Sequence, residues 1–216
     1  MGGGKLIVIE GSDSSGKATQ ASLLLPRMRE HGLVMPFAFP RYDTPSGMFV
    51  RECLSGKFGN FLEESPYFAS LPYILDFVNA KEEMRDALSR GHVLSDRYSP
   101  SNIAHQGAKL HSRKAQRAFI GWLEEYMYDV YDLPKPDAVV YLRVPIAVSL
   151  RLMKERGGKK DQHEAALDYQ DAVIETYTEL ASERLDWHIV ECAPNDRLLS
   201  REAIHEKVWT IVAPLL

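Results

Sequence analysis

Short apolar runs alternate with longer segments of helical periodicity along the whole chain. The apolar runs that predict strands are 6–9, 34–39, 92–95, 138–142 and 187–190. The segments that predict helices are 17–25, 46–56, 65–90, 112–131, 146–156, 165–184 and 200–213. Strands that are apolar at consecutive positions are typical of a parallel sheet buried on both faces. The alternation predicts an α/β fold, with a five-stranded, mostly parallel sheet and helices on both faces.

Composition narrows the class of protein. The chain has 216 residues and a formal net charge of −4, so we expect one domain over 1–216 and no nucleic acid as a partner. Two cysteines, Cys53 and Cys192, are too few for a disulfide framework and indicate a reducing compartment. No apolar run approaches the length of a membrane span, so we expect no membrane partner and a cytoplasmic location.

The turn after the first apolar run carries the strongest chemical signal. Gly11 and Gly16-Lys17 have the spacing of a loop that cradles phosphates between a strand and a helix. The alternative is a Gly/Ser-rich turn of no function, which the flanking strand and helix disfavour. We therefore expect a nucleoside triphosphate site. Its residues are Gly11, Ser12, Asp13, Ser14, Ser15, Gly16, Lys17, Ala18 and Thr19.

Ala18 departs from this motif. The residue after the lysine is ordinarily Ser or Thr, whose hydroxyl binds Mg²⁺. Thr19 is hydroxylated, but one step along a helix turns a side chain by about 100°. Either Mg²⁺ relies on phosphate oxygens, water and a carboxylate elsewhere, or the activity is weak.

Polar residues follow the second and third predicted strands as well. Phe39-Pro40-Arg41-Tyr42 ends one and Asp96-Arg97-Tyr98 the other. Ligands of open parallel sheets bind beyond the carboxyl ends of the strands. At that edge Asp96 can hold Mg²⁺ through water, and Arg97 can neutralise charge on a transferring phosphoryl group.

Together these motifs resemble the thymidylate kinase family, P-loop enzymes that move the γ-phosphate of ATP onto dTMP. The likeness covers nearly the whole chain and includes the Asp-Arg-Tyr motif that extends from Asp96 to His105. It also includes Leu133-Pro134-Lys135-Pro136-Asp137 and a lid segment at about 155–166, with Arg156-Gly157, Asp161 and Glu164. The resemblance implies ATP with Mg²⁺ as the phosphate donor, a place in dTTP synthesis and a homodimer.

The resemblance also assigns roles to residues. It implies that Lys17, Arg97 and Asp13 are catalytic, that Arg151 and Arg156 join the ATP site, and that Asp96 orients the water shell of the metal. Ser101 and Asn102 would meet the base edge, and Tyr73 would stack on the base. The full set implied for the acceptor nucleotide is Asp13, Phe39, Arg41, Tyr73, Arg97, Ser101, Asn102 and His105.

Two further positions, besides Ala18, depart from the family pattern. Phe77 stands where related sequences commonly carry an arginine, and His105 where a tyrosine abuts the sugar. The first predicts a weaker grip on dTMP unless Arg41 fills the gap. The second places the discrimination between deoxyribose and ribose in doubt.

Two other functions stay open at this point. One is a kinase of another (deoxy)nucleoside or pyrimidine nucleotide, which Phe77 and His105 favour. The other is a nucleotide-binding protein without catalysis on the same frame. The presence together of Lys17, Asp13, Asp96 and Arg97 disfavours the second, since a mere binder does not need the transfer arginine.

Overall fold

The computed structural model describes residues 3–156 and 167–216. Its sheet has five parallel strands in the order β2-β3-β1-β4-β5. The strands are β1 (Leu6–Glu10), β2 (Val34–Ala38), β3 (His92–Asp96), β4 (Ala138–Arg143) and β5 (Trp187–Glu191). Each coincides with a predicted apolar run to within one residue at either end.

Helices connect the strands. They are α1 (Lys17–Arg29), α2 (Pro45–Leu54), α3 (Pro66–Arg90), α4 (Ser99–Gly107), α5 (Arg113–Glu124), α6 (Ile146–Arg156), α7 (Leu167–Glu183) and α8 (Arg201–Val212). A π-helical turn, Glu125–Val130, extends α5. The sequence did not predict α4. It is short and buried on almost every side, so it lacks the polar face that makes a helix visible in a sequence.

The core lies on both faces of the sheet. Along β1, Leu6 and Val8 join one buried cluster, while Ile7 and Ile9 join another on the opposite face. Successive side chains of a strand point to opposite faces, so a strand covered on both sides is apolar throughout. The α/β fold class predicted from the sequence is confirmed.

The carboxyl ends of β1 and β3 lie side by side, with Ile9 opposite Asp96. The phosphate loop and the Asp-Arg-Tyr segment therefore meet at one edge of the sheet. Residues 157–166, most of the predicted lid, lie outside the described residues. Within the described ranges, no helix combines the length and apolar character needed to cross a bilayer.

Candidate active site

The phosphate loop between β1 and α1 depends on its glycines. Gly11 has φ +155°, and a Cβ there would lie 2.5 Å from Ser15 Oγ and 2.9 Å from the carbonyl oxygen of Leu142. Gly16 adopts a left-handed conformation at the start of α1, where no described side chain caps the helix. The first N–H groups of α1 are thus directed at the loop, in the arrangement that binds anions.

Lys17 lies inside this loop and is only 7% exposed. Its Nζ donates to the carbonyl oxygen of Ser12 at 2.7 Å. Burial lowers the pKa of Lys17 to about 8, and the positive charge of Arg97 acts in the same direction. The negative charge of a phosphate bound in the loop would raise the pKa of Lys17 and so oppose both effects.

Arg97 joins the loop to the rest of the site. Its Nη2 donates to Asp13 Oδ1 at 2.6 Å, and its Nη1 to Ser101 Oγ at 3.0 Å. Burial alone would raise the pKa of Asp13, but the charges of Arg97 and Lys17 outweigh burial and hold that pKa below its ordinary value. Asp13 is therefore a carboxylate at any physiological pH, and it fixes the direction of the guanidinium.

Two contacts of Asp13 were not predicted from the sequence. Ser149 Oγ on α6 donates to the backbone carbonyl of Asp13 at 2.7 Å, and Gln170 Nε2 on α7 donates to its Oδ2 at 3.1 Å. These residues belong to no motif. They lie 136 and 157 positions from Asp13 in sequence, so only the fold brings them together.

Asp96 lies beside the loop, as predicted. Together with Lys17, Ala18 and Thr19 it lines a cavity of about 510 Å³, and its Oδ1 is buried with no hydrogen-bond partner among the described residues. A carboxylate oxygen in this state suits a metal-bound water. Among the described residues, no cluster of three metal-ligating side chains is present. A single carboxylate, supplemented by water and nucleotide oxygens, is a donor set that suits Mg²⁺. Arg201 also lines this cavity and was not predicted.

A second cavity, of about 100 Å³, adjoins the first across Asp13 and Arg97. It brings together most of the residues that the family resemblance implied for the acceptor nucleotide. Those that line it are Asp13, Phe39, Tyr73, Arg97, Ser101, Asn102 and His105.

Arg41 is not among the described residues that line this cavity. Its guanidinium pairs with Asp76, at 3.4 Å, and with Glu83, at 3.3 Å. Arg151 is exposed on α6, and it lines neither cavity within the described chain. The side chain of Arg156, like the rest of the lid, lies outside the described residues.

Asn102 lines the acceptor cavity and carries a buried hydrogen-bond acceptor. Its Nδ2 donates to the carbonyl oxygen of Ser70 at 3.2 Å, while its buried Oδ1 has no partner among the described residues. The amide is held in this direction because the nitrogen is already engaged. The oxygen is therefore left as an acceptor that the described residues do not satisfy.

His105 contacts Arg97. The Tyr169 hydroxyl donates to the His105 carbonyl at 2.9 Å and lies 3.2 Å from Nδ1. Because that hydroxyl hydrogen is used, Nδ1–H donates to the hydroxyl, and Nε2 accepts from Arg97 Nη1 at 3.4 Å. His105 thus contributes to the orientation of Arg97.

Phe77 is a core residue as well as a wall of the acceptor cavity. It is 2% exposed and packs edge-on against Phe39 and Tyr98, with ring centroids 5.1 and 5.0 Å apart. An aromatic ring at this position is therefore built into the fold.

The sequence was compared with models of known protein families. The sequence profile described as thymidylate kinase matches residues 9–203. The chain belongs to the thymidylate kinase family. This confirms the family expected from the motifs.

Individual relatives agree. The thymidylate kinase of Mycobacterium tuberculosis is 33% identical over 187 residues, which cover 82% of this chain and 86% of the relative. That of Afipia carboxidovorans is 30% identical over 96% of this chain and 88% of its own. A solved thymidylate kinase structure from Candida albicans, described as having broad substrate specificity, has a TM-score of 0.78 and 26% identity. It covers 98% of this chain and 92% of its own.

Proposed function

We propose that this enzyme transfers the γ-phosphate of ATP to dTMP, giving dTDP and ADP on the route to dTTP. The observation that carries the proposal is the ion pair between Arg97 and Asp13. Both residues line the phosphate-loop cavity and the smaller acceptor cavity, so the pair lies where donor and acceptor phosphates would meet.

Each residue of the site has a part in this reaction. Lys17 and the first N–H groups of α1 hold the β- and γ-phosphates. Arg97 neutralises the charge that develops during transfer, and Asp13 keeps its guanidinium in place. A bound Mg²⁺, held by Asp96 through water, would supply further charge neutralisation on the phosphates.

The acceptor cavity selects the base. Tyr73 supplies a ring for stacking, and Asn102 Oδ1 accepts the N3–H of thymine. Cytosine has no hydrogen on N3, so Asn102 would leave an acceptor facing an acceptor. This favours dTMP over dCMP.

A coupled assay of ADP release tests the proposal. With ATP as donor, the acceptors are dTMP, dUMP, dCMP, UMP and thymidine. We expect the highest kcat/KM with dTMP. A higher value with thymidine would indicate a nucleoside kinase, a higher value with UMP a ribonucleotide kinase, and no turnover with any acceptor a non-catalytic binding protein.

We further propose a homodimer. Apolar side chains are exposed along α3, with Phe68 70%, Leu75 47% and Leu71 43% exposed. Phe119 and Leu123 of α5 are in the core, so α3 rather than α5 supplies the apolar contact. Light scattering should give twice the chain mass of 24.5 kDa, and Phe68→Glu should shift it toward the monomer. A monomer mass for the unmodified protein at micromolar concentration would contradict the dimer.

We assign the enzyme to the cytoplasm, with small nucleotides as its substrates. Cys53 and Cys192 are both buried free thiols, as is usual in a reducing compartment. Fractionation of the source cells with an antibody against the chain checks the assignment.

A further inference from the structure

Glu10, the last residue of β1, is a fully buried carboxylate that no step above uses. Its Oε1 accepts the backbone N–H groups of Tyr98, at 3.0 Å, and of Ser101, at 3.1 Å. Its Oε2 accepts the hydroxyls of Ser101, at 2.7 Å, and of Tyr177, at 2.8 Å. Four donors therefore converge on a group that is 0% exposed.

This convergence favours an ionised carboxylate. The two backbone N–H groups at Oε1 can only donate, and the two hydroxyls at Oε2 are placed to donate as well. Burial raises the pKa of Glu10, and the charge of Arg97 acts against that rise. Glu10 lines neither cavity within the described chain, so it does not touch the reacting atoms.

Two of the bonds cap a helix from a distance. Tyr98 precedes α4, and no described side chain of that segment caps the helix. The carboxylate of Glu10, at the end of β1, acts as the cap instead. The helix dipole also favours a negative charge at this end of α4. The preceding residue, Arg97, has φ +64°, a conformation that costs a non-glycine residue energy unless its surroundings enforce it.

The other bonds reach the side chain of Arg97. The Ser101 hydroxyl has one hydrogen, and that hydrogen donates to Glu10. Its lone pairs are left to accept from Arg97 Nη1 at 3.0 Å. Hydrogen bonds in such a chain polarise one another, so the charge of Glu10 makes Ser101 a stronger acceptor.

We propose that Glu10 is a positioning residue for phosphoryl transfer: it fixes the backbone turn of Arg97 and, through the Ser101 hydroxyl, the direction of the Arg97 guanidinium. The proposal rests on the proposed function, in which Arg97 neutralises charge on the transferring group.

Glu10→Gln is the decisive variant. The amide oxygen can still accept the two backbone N–H groups, but the amide nitrogen donates to Ser101 Oγ and competes with Arg97 for its lone pairs. We expect kcat to fall roughly 10- to 100-fold, as for the loss of a hydrogen bond to a charged group. The KM for ATP should stay within about twofold, since the phosphate loop keeps Lys17.

Tyr177→Phe is the matched control. It removes a hydrogen bond from the same oxygen, Glu10 Oε2, together with the 3.2 Å contact between the Tyr177 and Ser101 hydroxyls. The Ser101 hydroxyl keeps its bonds to Glu10 and from Arg97. It should lower the melting temperature while kcat stays within about twofold. If Glu10→Gln and Tyr177→Phe lower kcat equally, Glu10 only stabilises the fold and the proposal is wrong.

Ser101→Ala tests the relay without altering Glu10, and serves if Glu10→Gln does not fold. It should lower kcat by a similar factor, and the double variant should lose little more, because both act on one chain of bonds. Additive losses would contradict the relay.

Glu10→Gln has one further outcome that would contradict the proposal. An unchanged kcat together with tighter binding of both nucleotides would show that the charge of Glu10 merely repels phosphate.

A readout without turnover separates this proposal from the proposed function. In ¹⁵N NMR spectra of the ligand-free protein, the Arg97 guanidinium protons should be protected from exchange and should lose protection in Glu10→Gln but not in Tyr177→Phe. If the unmodified enzyme fails to phosphorylate dTMP, this measurement still decides whether Glu10 holds Arg97. Equal protection in all three proteins would overturn the proposal.

Discussion

Arg97 and Asp13 are 84 positions apart in sequence, yet their side chains form an ion pair of 2.6 Å at the junction of the two cavities. Each residue comes directly after the end of a strand or in the turn that follows it. The pair links the loop after β1 to the segment after β3, so each of these two segments holds the other in place.

Arg97→Ala should therefore affect both chemistry and folding. We expect turnover to fall on the order of 10³-fold, as for other arginines that stabilise phosphoryl transfer. The free energy of unfolding should also fall by about 3 kcal/mol, because Asp13 loses its partner in a mostly buried site. Steady-state kinetics and urea unfolding measure the two effects. If only the affinity for ATP changed, Arg97 would belong to the donor site alone.

Lys17→Met should abolish most transfer and preserve the fold. The methionine fills the aliphatic space but cannot contact the β- and γ-phosphates, so we expect turnover to fall on the order of 10²- to 10³-fold. Circular dichroism should show a melting temperature no lower than that of the unmodified protein, since an ammonium is no longer buried. Near-normal turnover would contradict the phosphate-loop assignment.

The lowered pKa of Lys17 predicts proton uptake on binding. At pH 8 about half of the Lys17 side chains are neutral, and the phosphates of ATP favour the charged form. ATP binding should therefore take up about half a proton, measured by calorimetry in buffers of different ionisation enthalpy. Lys109 has a pKa of about 8 as well, but it contacts the carbonyls of Phe61 and Glu64. Lys17→Met should abolish the uptake and Lys109→Met should keep it.

The same shift has a consequence for stability. The pKa of Lys17 in the folded protein, about 8, lies below the ordinary lysine value of 10.5, so between these pH values the unfolded chain binds more protons. This group therefore makes the protein more stable as the pH rises through that window. Urea titrations at pH 8 and pH 10 should show a smaller gain in Lys17→Met than in the unmodified enzyme.

Asn102→Ala should weaken dTMP specifically. It removes the oxygen that accepts N3–H, so we expect the KM for dTMP to rise by about 5- to 100-fold while the KM for ATP stays constant. The preference for dTMP over dCMP should narrow. Asn79→Ala, an exposed asparagine on α3, is the control and should change neither constant. A preference for dTMP that survives in Asn102→Ala would place base recognition elsewhere.

Phe77→Arg tests the departure from the family pattern. Related sequences commonly carry an arginine at this position, and this pattern alone would suggest that Phe77→Arg lowers the KM for dTMP. Because Phe77 packs against Phe39 and Tyr98 in the core, we expect instead a loss of more than about 3 kcal/mol in the free energy of unfolding. Thermal unfolding decides the matter. A stable variant with tighter dTMP binding would show that the guanidinium reaches the acceptor.

The sequence predicted the parts of this enzyme that depend on local pattern. The strand β1, the phosphate loop and Arg97 can be recognised because their signals lie within a few consecutive residues. Gln170 and Ser149 could not be predicted, since each lies on a helix whose sequence carries no motif and meets Asp13 only after the sheet has formed.

Helix α4 and Glu10 show a second limit. A helix buried on almost every side has no amphipathic period, and a carboxylate at the end of a strand looks the same whether it binds solvent, metal or a helix terminus. Arg41 marks the converse, because a basic residue placed at a strand end pairs with Asp76 rather than lining the cavity. The role of a charged residue at a strand end therefore depends on which distant residue it pairs with, and a sequence alone does not show this.

The acceptor cavity shares one wall with the core and the other with the surface. Phe77 belongs to the core wall, whereas Tyr42, 38% exposed, belongs to the outer one. Substitutions in the core wall destabilise the folded protein, so they are removed by selection before they can change the substrate preference. New acceptor preferences in this lineage should therefore arise through replacements at the outer wall, and libraries built to redirect the enzyme should concentrate their diversity there.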